Sequence, residues 1–196
     1  MPTSTPSLRS TEALLRDYLH AKDENRPLLM ARAFASDVVI NVVQRAPSIF
    51  FPPHAHGLAA FTDSAVRKFG QTYENIYTFY LARPEPNIML SEYTCDWVMG
   101  MSEKSSGAVL IGCGRYDWEF HAMPHRVKRL TITIETMLSL PPSTASGIFG
   151  WLTAVPYPWA DRKQMVALAP PIEALAPVMH HLQHPNNAHF LPGTPL

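Results

Sequence analysis

The spacing of apolar residues changes its period along this chain. Over most of the first third they recur at helical spacing, whereas across residues 91–137 apolar and polar side chains alternate in three long segments. The two breaks between those segments, residues 102–107 and 122–126, are short and are either polar or contain proline. The pattern predicts an antiparallel meander of three strands that bends around a pocket.

Three helices are predicted before the meander. The first starts near Ser10, which can cap it, carries Tyr18 on its apolar face and stops around Asp23. The second is short, begins after Asn25 and includes Phe34. The third covers residues 57–69 and is stopped by Gly70.

Two further strands alternate with these helices. Residues 37–43 are too rich in β-branched side chains to stay helical and form the first strand, and residues 73–82 form the second. Residues 48–56 contain two adjacent prolines and are predicted to be a loop. Helices followed by antiparallel strands indicate an α+β domain in which one face of the sheet packs on the helices.

The length and composition of the chain suit one domain with an appended segment. At 196 residues and 46% hydrophobic, the chain can bury a sizeable core. Residues 1–8 are predicted to be a disordered lead and residues 9–140 the folded domain. Residues 141–196 hold ten of the nineteen prolines but only four charged residues, so they are too apolar for a free tail. We expect this partly helical C-terminal extension to wrap the domain or a partner subunit.

The charge balance argues against several partners. Sixteen basic and sixteen acidic residues cancel, so no global field attracts nucleic acid or an anionic membrane. No stretch approaches the roughly 20 apolar residues of a membrane span, and the N-terminus lacks the apolar core of a secretory signal. We therefore expect a cytoplasmic protein with neither nucleic acid nor membrane as its partner.

The two cysteines, Cys95 and Cys113, are predicted to lie on neighbouring strands at similar distances from the turn. A symmetric hairpin would place them close together across the ladder. Adjacent-strand pairs fit disulfide geometry poorly, and buried thiols act as small apolar side chains. We therefore expect both cysteines to be reduced core residues.

Nine histidines prompt a search for a metal site. His54 and His56 form an H-x-H pair, and His180 and His184 would share one helix face. No nearby acidic residue completes either set, so we expect surface histidines and no bound metal. The sequence also lacks a glycine-rich phosphate loop, so no cofactor is expected.

Three stretches of the sequence carry a family resemblance: YLHAKDENRPLLMARAFASDVVINV, GCGRYDWEF and RVKRLTITIETM. Together they resemble the nuclear-transport-factor-2-like superfamily, close to its SnoaL-like members, over about residues 9–140. The resemblance implies a cone-shaped fold, with three N-terminal helices packed on a strongly curved antiparallel sheet and a deep pocket between them. It also implies that any chemistry would be proton transfer by inward-pointing carboxylate, tyrosine or histidine side chains.

The resemblance singles out some positions and puts others in doubt. Tyr18 matches the helix-one tyrosine that donates to an oxyanion in ketosteroid-isomerase-like members, but Val42 stands where those members place their basic aspartate. Asp23 matches the acidic residue of scytalone-dehydratase-like members. In that comparison Lys22 replaces a tyrosine, and Tyr73 replaces the strand-two histidine. Neither mechanism is therefore carried over whole.

Strand alternation separates two faces of the meander. Tyr116 and Trp118 are predicted to share a face with Gly112 and Gly114, whose small size would leave room for a ligand, although the aromatic residues could equally be sheet core. Asp96 lies opposite to Trp97 and is interpreted as outward-facing. The charged residues predicted to face outward on the next strand are Arg115, Asp117 and Glu119. Many relatives dimerise through this outer sheet face, and we expect a homodimer here.

Two classes of function fit these features. The first is a small-molecule lyase, isomerase or cyclase that acts by acid–base chemistry on an apolar cyclic substrate. The second is a non-catalytic module of the same fold that binds a small apolar ligand or dimerises. The candidate catalytic residues are Tyr18, Asn41, Tyr73 and Tyr116, and the candidate ligand-binding residues are Trp97, Trp118 and Asp23.

Overall fold

A six-stranded sheet with helices on both faces makes up residues 9–45 and 54–185, the part of the chain that the computed structural model describes. The helices are α1 (Thr11–Asp23), α2 (Met30–Ala33), α3 (Leu58–Thr62), α4 (Phe69–Thr72), α5 (Ala145–Leu152), α6 (Arg162–Leu168) and α7 (Ala176–Gln183). The strands are β1 (Phe34–Gln44), β2 (His54–His56), β3 (Tyr73–Tyr80), β4 (Glu92–Glu103), β5 (Val109–His121) and β6 (Arg126–Leu140). The predicted disordered lead, residues 1–8, lies outside the described residues.

Helix α1 begins where the sequence supplies a cap. The backbone of Ser10 is extended, and its hydroxyl accepts a hydrogen bond from the amide of Ala13 at 3.3 Å. Glu12 in the first turn complements the positive end of the helix. The predicted start and end of this helix are both confirmed.

The strand order in the sheet is β2-β1-β6-β5-β4-β3. Strands β1 and β6 are parallel, and the other neighbouring pairs are antiparallel. The predicted meander is therefore confirmed as β4, β5 and β6. Irregularities in the β5–β6 register at Cys113/Gly114 and at Glu119/Phe120 bend these long strands.

The two faces of β5 are occupied as the alternation predicts. Tyr116 and Trp118 belong to the core between the sheet and the N-terminal helices, whereas Arg115, Asp117 and Glu119 alternate with them and are partly exposed. On β4, Asp96 likewise faces away from the side that holds Trp97. The predicted assignment of these residues to the two faces of the meander is correct.

The C-terminal helices cover the outer face of the chain's own sheet. Helix α5 packs on β4 and α7 on β5, and together with α6 they enclose a second core that contains Val98, Ile111 and Trp151. The approach is closest at Gly100, where a Cβ atom would lie 2.3 Å from the Leu152 side chain. A residue without a side chain is therefore required on β4 for α5 to dock at this distance.

One short segment also covers the free edge of β3. The amide of Tyr80 donates to the carbonyl of Pro158 at 2.8 Å, and the amide of Ala160 donates to the carbonyl of Tyr80 at 3.0 Å. The Trp159 ring stacks on the Tyr80 ring with centroids 4.9 Å apart. The last residue of this edge strand, Tyr80, thus has partners for both of its backbone groups.

Three local predictions are wrong. Phe34 begins β1 instead of ending a helix, because its extended backbone buries the ring edge-on against Tyr18. The third helix does not stop at Gly70: it continues through a π-helical stretch (Asp63–Lys68) to Thr72, and Gly70 makes room for the side chain of Asn25. Residues 54–56 form β2, paired with β1, where a loop was predicted.

The cysteines are buried and free, as expected, but they are not cross-strand neighbours. The partner of Cys95 is Tyr116, and the partner of Cys113 is Val98. Cys95 lies in the core on the helix side, and Cys113 lies in the core under the C-terminal helices. In a hairpin symmetric about the cysteines, Cys95 would pair with Cys113, but the observed β4–β5 register is shifted from this by three residues. Because the shift is an odd number, the two cysteines lie on opposite faces of the sheet.

Candidate functional site

A cavity of about 110 Å³ lies between the sheet and the N-terminal helices. Its wall is mainly apolar and includes Ile40, Val42, Phe61, Ile132, Ile134 and Met137. These side chains come from β1, β6 and α3, where strand and helix periodicity turns them inward. The wall also carries a few polar groups, contributed by Tyr18, Lys22, Ser64 and Tyr116.

Tyr18 and Tyr116 form a hydroxyl pair on this wall. The two side chains are hydrogen-bonded to each other through their hydroxyl groups. Burial raises the pKa of both phenols far above the ordinary value, and the charge of Asp23 raises the pKa of Tyr18 further. Both therefore remain protonated at neutral pH, and since one bond between the two hydroxyls uses only one of their two hydrogens, the pair keeps one hydrogen for another acceptor.

The position of Tyr18 is fixed by aromatic packing. It lies on the same face of α1 as Leu14, and its ring contacts Phe34 at 5.3 Å and Trp118 at 5.5 Å between centroids, both edge-on. Its exposed fraction is 1%. A buried phenol needs a partner for its hydroxyl, and of the two candidates that the sequence offers, Asn41 and Tyr116, the structure shows Tyr116, since Asn41 contacts His54.

Lys22 follows Tyr18 by one helical turn and is buried. Its ammonium donates to Oδ1 of Asp23 at 2.5 Å and to Oγ1 of Thr78 at 2.7 Å. It also lies 3.6 Å from the sulfur of Met99 and 5.3 Å from the centroid of the Phe69 ring. A charge removed from water in this way is held by its ion pair and its hydrogen bonds.

Asp23 holds the other side of this ion pair. Its carboxylate accepts from the backbone amide of Thr78 at 2.7 Å, from the Thr78 hydroxyl at 3.0 Å and from the Tyr157 hydroxyl at 3.2 Å. With Lys22 it therefore has four hydrogen-bond donors. Asp23 lies behind the cavity and is absent from the described residues that line it.

The structure brings only some of the predicted site residues together. Tyr18, Tyr116 and Trp97 line the cavity. Asn41 does not, because Ile40 and Val42 take the inward positions on β1, and the Asn41 side chain instead meets His54 at 3.1 Å.

Tyr73, Trp118 and Asp23 also lie off the cavity wall. Tyr73 packs on Phe69 with ring centroids 4.9 Å apart, and Trp118 sits behind the Tyr18–Tyr116 pair. The β3 residue that contacts Asp23 is Thr78 and not Tyr73.

The space above the β5 glycines is already filled. A Cβ atom at Gly112 would lie 2.6 Å from the Met137 side chain, and one at Gly114 would lie 2.9 Å from the Trp97 ring. The room predicted for a ligand is thus occupied by Met137 and Trp97, which line the cavity themselves.

The sequence reasoning did not identify Lys22 as a cavity residue. The signal was its spacing: Lys22 continues the stripe on α1 that contains Leu15 and Tyr18, so its side chain points at the sheet. Ser64 was missed as well, because it lies in the π-helical stretch, where α-helical spacing fails.

The histidine pairs show no metal-site geometry. Within residues 9–45 and 54–185, no three histidine, cysteine or acidic side chains are grouped so that they could hold a metal ion. His54 contacts Asn41, while the rings of His180 and His184 stack on each other at 4.4 Å. In the same part of the chain, no helix is long and apolar enough to cross a membrane.

Comparison with known proteins identifies the fold. No protein-family model matches the sequence, and no curated protein is significantly similar to it. Among solved structures, an NTF2-like protein from Burkholderia thailandensis is 11% identical and superposes with a TM-score of 0.50, over 64% of this chain and 91% of that one. A hexachlorocyclohexane dehydrochlorinase from Novosphingobium barchaimii is 13% identical with a TM-score of 0.51, over 65% of this chain and 85% of that one. The chain therefore has the NTF2-like fold that its sequence predicts.

Proposed function

We propose that this chain binds a small, largely apolar molecule in the cavity between α1 and the sheet. One observation carries the proposal: the cavity is mainly apolar, and the ionisable residues among its described lining residues, Tyr18, Tyr116 and Lys22, all carry hydrogen-bond donor groups. An apolar pocket with a few convergent polar groups is the usual form of a small-molecule site.

The size of the cavity limits the ligand. An engineered protein cavity of about 150 Å³ binds benzene. The cavity here, at about 110 Å³, suits a molecule built on a single ring. Its wall would bury the ring, and the Tyr18 hydroxyl would donate a hydrogen bond to one acceptor atom of the ligand.

Binding fits the site better than acid–base catalysis does. Proton transfer needs a base within hydrogen-bond reach of the ligand. The raised pKa values keep Tyr18 and Tyr116 protonated, and the ammonium of Lys22 is paired with Asp23. These groups can therefore polarise an oxygen atom of a ligand, but among the described lining residues none is a ready acceptor for a proton.

The lyase, isomerase or cyclase interpretation is the second candidate. It is favoured by the buried carboxylate of Asp23, which lies only 2.5 Å from the cavity residue Lys22 and would be the base if a ligand drew Lys22 away. Tyr18 would then stabilise the developing oxyanion. One protein of similar structure is named as a dehydrochlorinase, so the fold accommodates an enzyme, although fold alone does not set function.

The test of binding uses toluene and a cavity-filling variant. We expect toluene to raise the melting temperature of the wild-type protein, because a ligand present at 100 times its Kd stabilises the native state by about 2.7 kcal/mol. Ala65→Leu places three extra carbon atoms in the cavity wall and should abolish the shift. Ala60→Leu, on the exposed side of α3, is the matched control and should keep it.

Two outcomes of the toluene test would contradict the binding proposal. A wild-type protein that shows no response to toluene would contradict the proposal. A response that survives in Ala65→Leu would place the ligand elsewhere and would contradict it equally.

The role of the Tyr18 hydroxyl is tested with acetophenone, a single ring bearing one carbonyl acceptor. Tyr18→Phe should weaken acetophenone binding about tenfold in calorimetry, since a hydrogen bond is worth about 1 kcal/mol or more. Tyr80→Phe is the matched control, because that buried hydroxyl donates to the Leu15 carbonyl at 3.0 Å, off the cavity wall. Equal affinities of both variants would remove Tyr18 from the binding contacts. If the protein is an enzyme, Tyr18→Phe should lower turnover by about 10²-fold.

A further inference from the structure

The ammonium of Lys22 has one hydrogen-bonding direction that is poorly used. It carries three N–H groups, and its partners are the Asp23 carboxylate, the Thr78 hydroxyl and the Met99 sulfur. A thioether is a weak acceptor, and this contact is long at 3.6 Å. Met99 also lines the cavity, so the underused direction lies where a ligand oxygen could replace the sulfur.

Asp23 does not depend on Lys22 alone. Its carboxylate also accepts two hydrogen bonds from Thr78 and one from Tyr157. These neutral donors stabilise the negative charge on the side away from the cavity. The positive charge of Lys22 can therefore be shared with a second anion on the cavity side without leaving Asp23 unpaired.

A second, independent group points to the same chemistry. The Trp97 indole is 2% exposed, and its N–H has no hydrogen-bond partner among the described residues. Trp97 lines the cavity together with Tyr18 and Lys22. An unpaired buried donor costs free energy. A residue of the cavity wall thus has a buried donor without a partner among the described residues, close to the underused direction of Lys22.

We infer that the natural ligand is a single-ring carboxylate, with its ring against the apolar wall and its carboxylate on Lys22 and Tyr18. This inference rests on the proposed function and specifies the ligand class. A carboxylate accepts hydrogen bonds and donates none, which matches a wall of donors. Its bond to the ammonium is charge-assisted and is stronger than that of a neutral carbonyl.

Three probes of similar ring size test the inference on the wild-type protein at pH 7: benzoate, acetophenone and toluene. We expect benzoate to bind at least about tenfold tighter than acetophenone, as measured by calorimetry, because hydrogen bonds to charged groups are the stronger class. Acetophenone or toluene binding as tightly as benzoate would overturn the carboxylate inference and leave the binding function intact. Binding of none of the three would overturn both.

Variants locate the preference at Lys22. Lys22→Met alone leaves the buried Asp23 carboxylate without its cation, so the double variant Lys22→Met/Asp23→Asn is made beside it. In either variant, we expect benzoate affinity to fall at least about tenfold while toluene affinity changes less than about twofold. Lys104→Met is the control, because Lys104 is exposed and donates to the carbonyl of Gly70 off the cavity wall. A benzoate preference that persists without Lys22 would contradict the inference.

A direct readout needs no variant. The ¹⁵Nζ resonance of Lys22 in the wild-type protein should shift on addition of benzoate and stay in place with toluene. Benzoate binding that leaves this resonance unmoved would place the carboxylate elsewhere and would overturn the assignment to Lys22.

Discussion

The hydroxyl group of Tyr157 donates a hydrogen bond to Oδ2 of Asp23 at 3.2 Å, across 134 positions of sequence. Tyr157 belongs to the segment between α5 and α6, and Asp23 is the last residue of α1. Because Asp23 also pairs with Lys22, the C-terminal part of the chain is joined by hydrogen bonds to the polar side of the cavity.

Tyr157→Phe should destabilise the protein modestly. The ring keeps its edge-on packing against Phe79 and His20, while Asp23 loses one donor. We expect a loss of about 1–2 kcal/mol in the free energy of unfolding, measured in urea. Tyr77→Phe is the control. The Tyr77 ring packs on Phe149, and removing its hydroxyl should lower the free energy of unfolding by less than about 0.5 kcal/mol. Equal losses in the two variants would contradict a role for the Tyr157–Asp23 bond.

The ion pair between Asp96 and Arg162 should hold α6 to the sheet. Arg162 donates to the buried Asp96 carboxylate and to the carbonyl of His181 at 3.1 Å. Arg162→Met leaves Asp96 without its cation and should cost about 3–5 kcal/mol in urea unfolding.

Two further variants control this prediction. Adding Asp96→Asn to Arg162→Met removes the unpaired charge and should recover part of the loss. Lys68→Met breaks an exposed pair with Asp63 and should change stability by less than about 1 kcal/mol. A loss for Arg162→Met as small as that of Lys68→Met would show that the pair contributes little.

His181 should make stability fall at mildly acidic pH. Burial lowers its pKa from the ordinary 6.5; the charges of Asp96 and Glu135 oppose this effect, and that of Arg162 adds to it. Since the folded pKa lies below the unfolded one, the unfolded chain binds the extra proton first, and stability decreases as pH falls below about 6.5. Urea midpoints between pH 7.5 and 5 should show this slope, and His181→Gln should flatten it. Identical slopes for the two proteins would contradict the prediction.

The homodimer expected from the sequence remains a prediction, but a smaller part of the outer sheet face is free to form its interface. The C-terminal helices occupy the part of the outer face that contains Val98 and Ile111, which leaves the part with Arg115, Asp117 and Thr131. We propose that two copies meet there. Sedimentation should show a dimer at micromolar concentration, and Thr131→Arg should weaken it, whereas Thr153→Arg at the exposed C-cap of α5 should not. A monomer at all concentrations would contradict the proposal.

The fold was predictable where one pattern decides it. Ser10 caps α1 by a local rule, and the alternation along β5 allows only one face to carry Tyr116 inward, so the facing of the β5 side chains followed from the sequence. The strand position of Phe34 and the continuation of the third helix past Gly70 were not predicted, because tertiary packing overrides the local sequence signals there.

The site was harder to predict than the fold. Side chains on β1 alternate between the two faces of the sheet, so Asn41 points away from the cavity while Ile40 and Val42 point into it. Knowing that these residues form a strand does not reveal which of the two sets faces inward. Lys22 was missed because lysines are seldom buried, and its partner Thr78 is 56 positions away. The sequence shows that the tail is apolar, but only the close approach of Leu152 to Gly100 shows which surface it covers.

The backbone bonds that Pro158 and Ala160 make along β3 bear on how far this chain could be shortened. A protein ending at residue 140 would expose the edge of β3 together with an apolar sheet surface that includes Phe79, Val98 and Ile111. An unpaired strand edge beside such a surface is a template for intermolecular β-pairing. By covering this apolar surface and the end of β3 at Tyr80, the segment that follows the meander is expected to protect the chain from aggregation, apart from any contribution to the cavity.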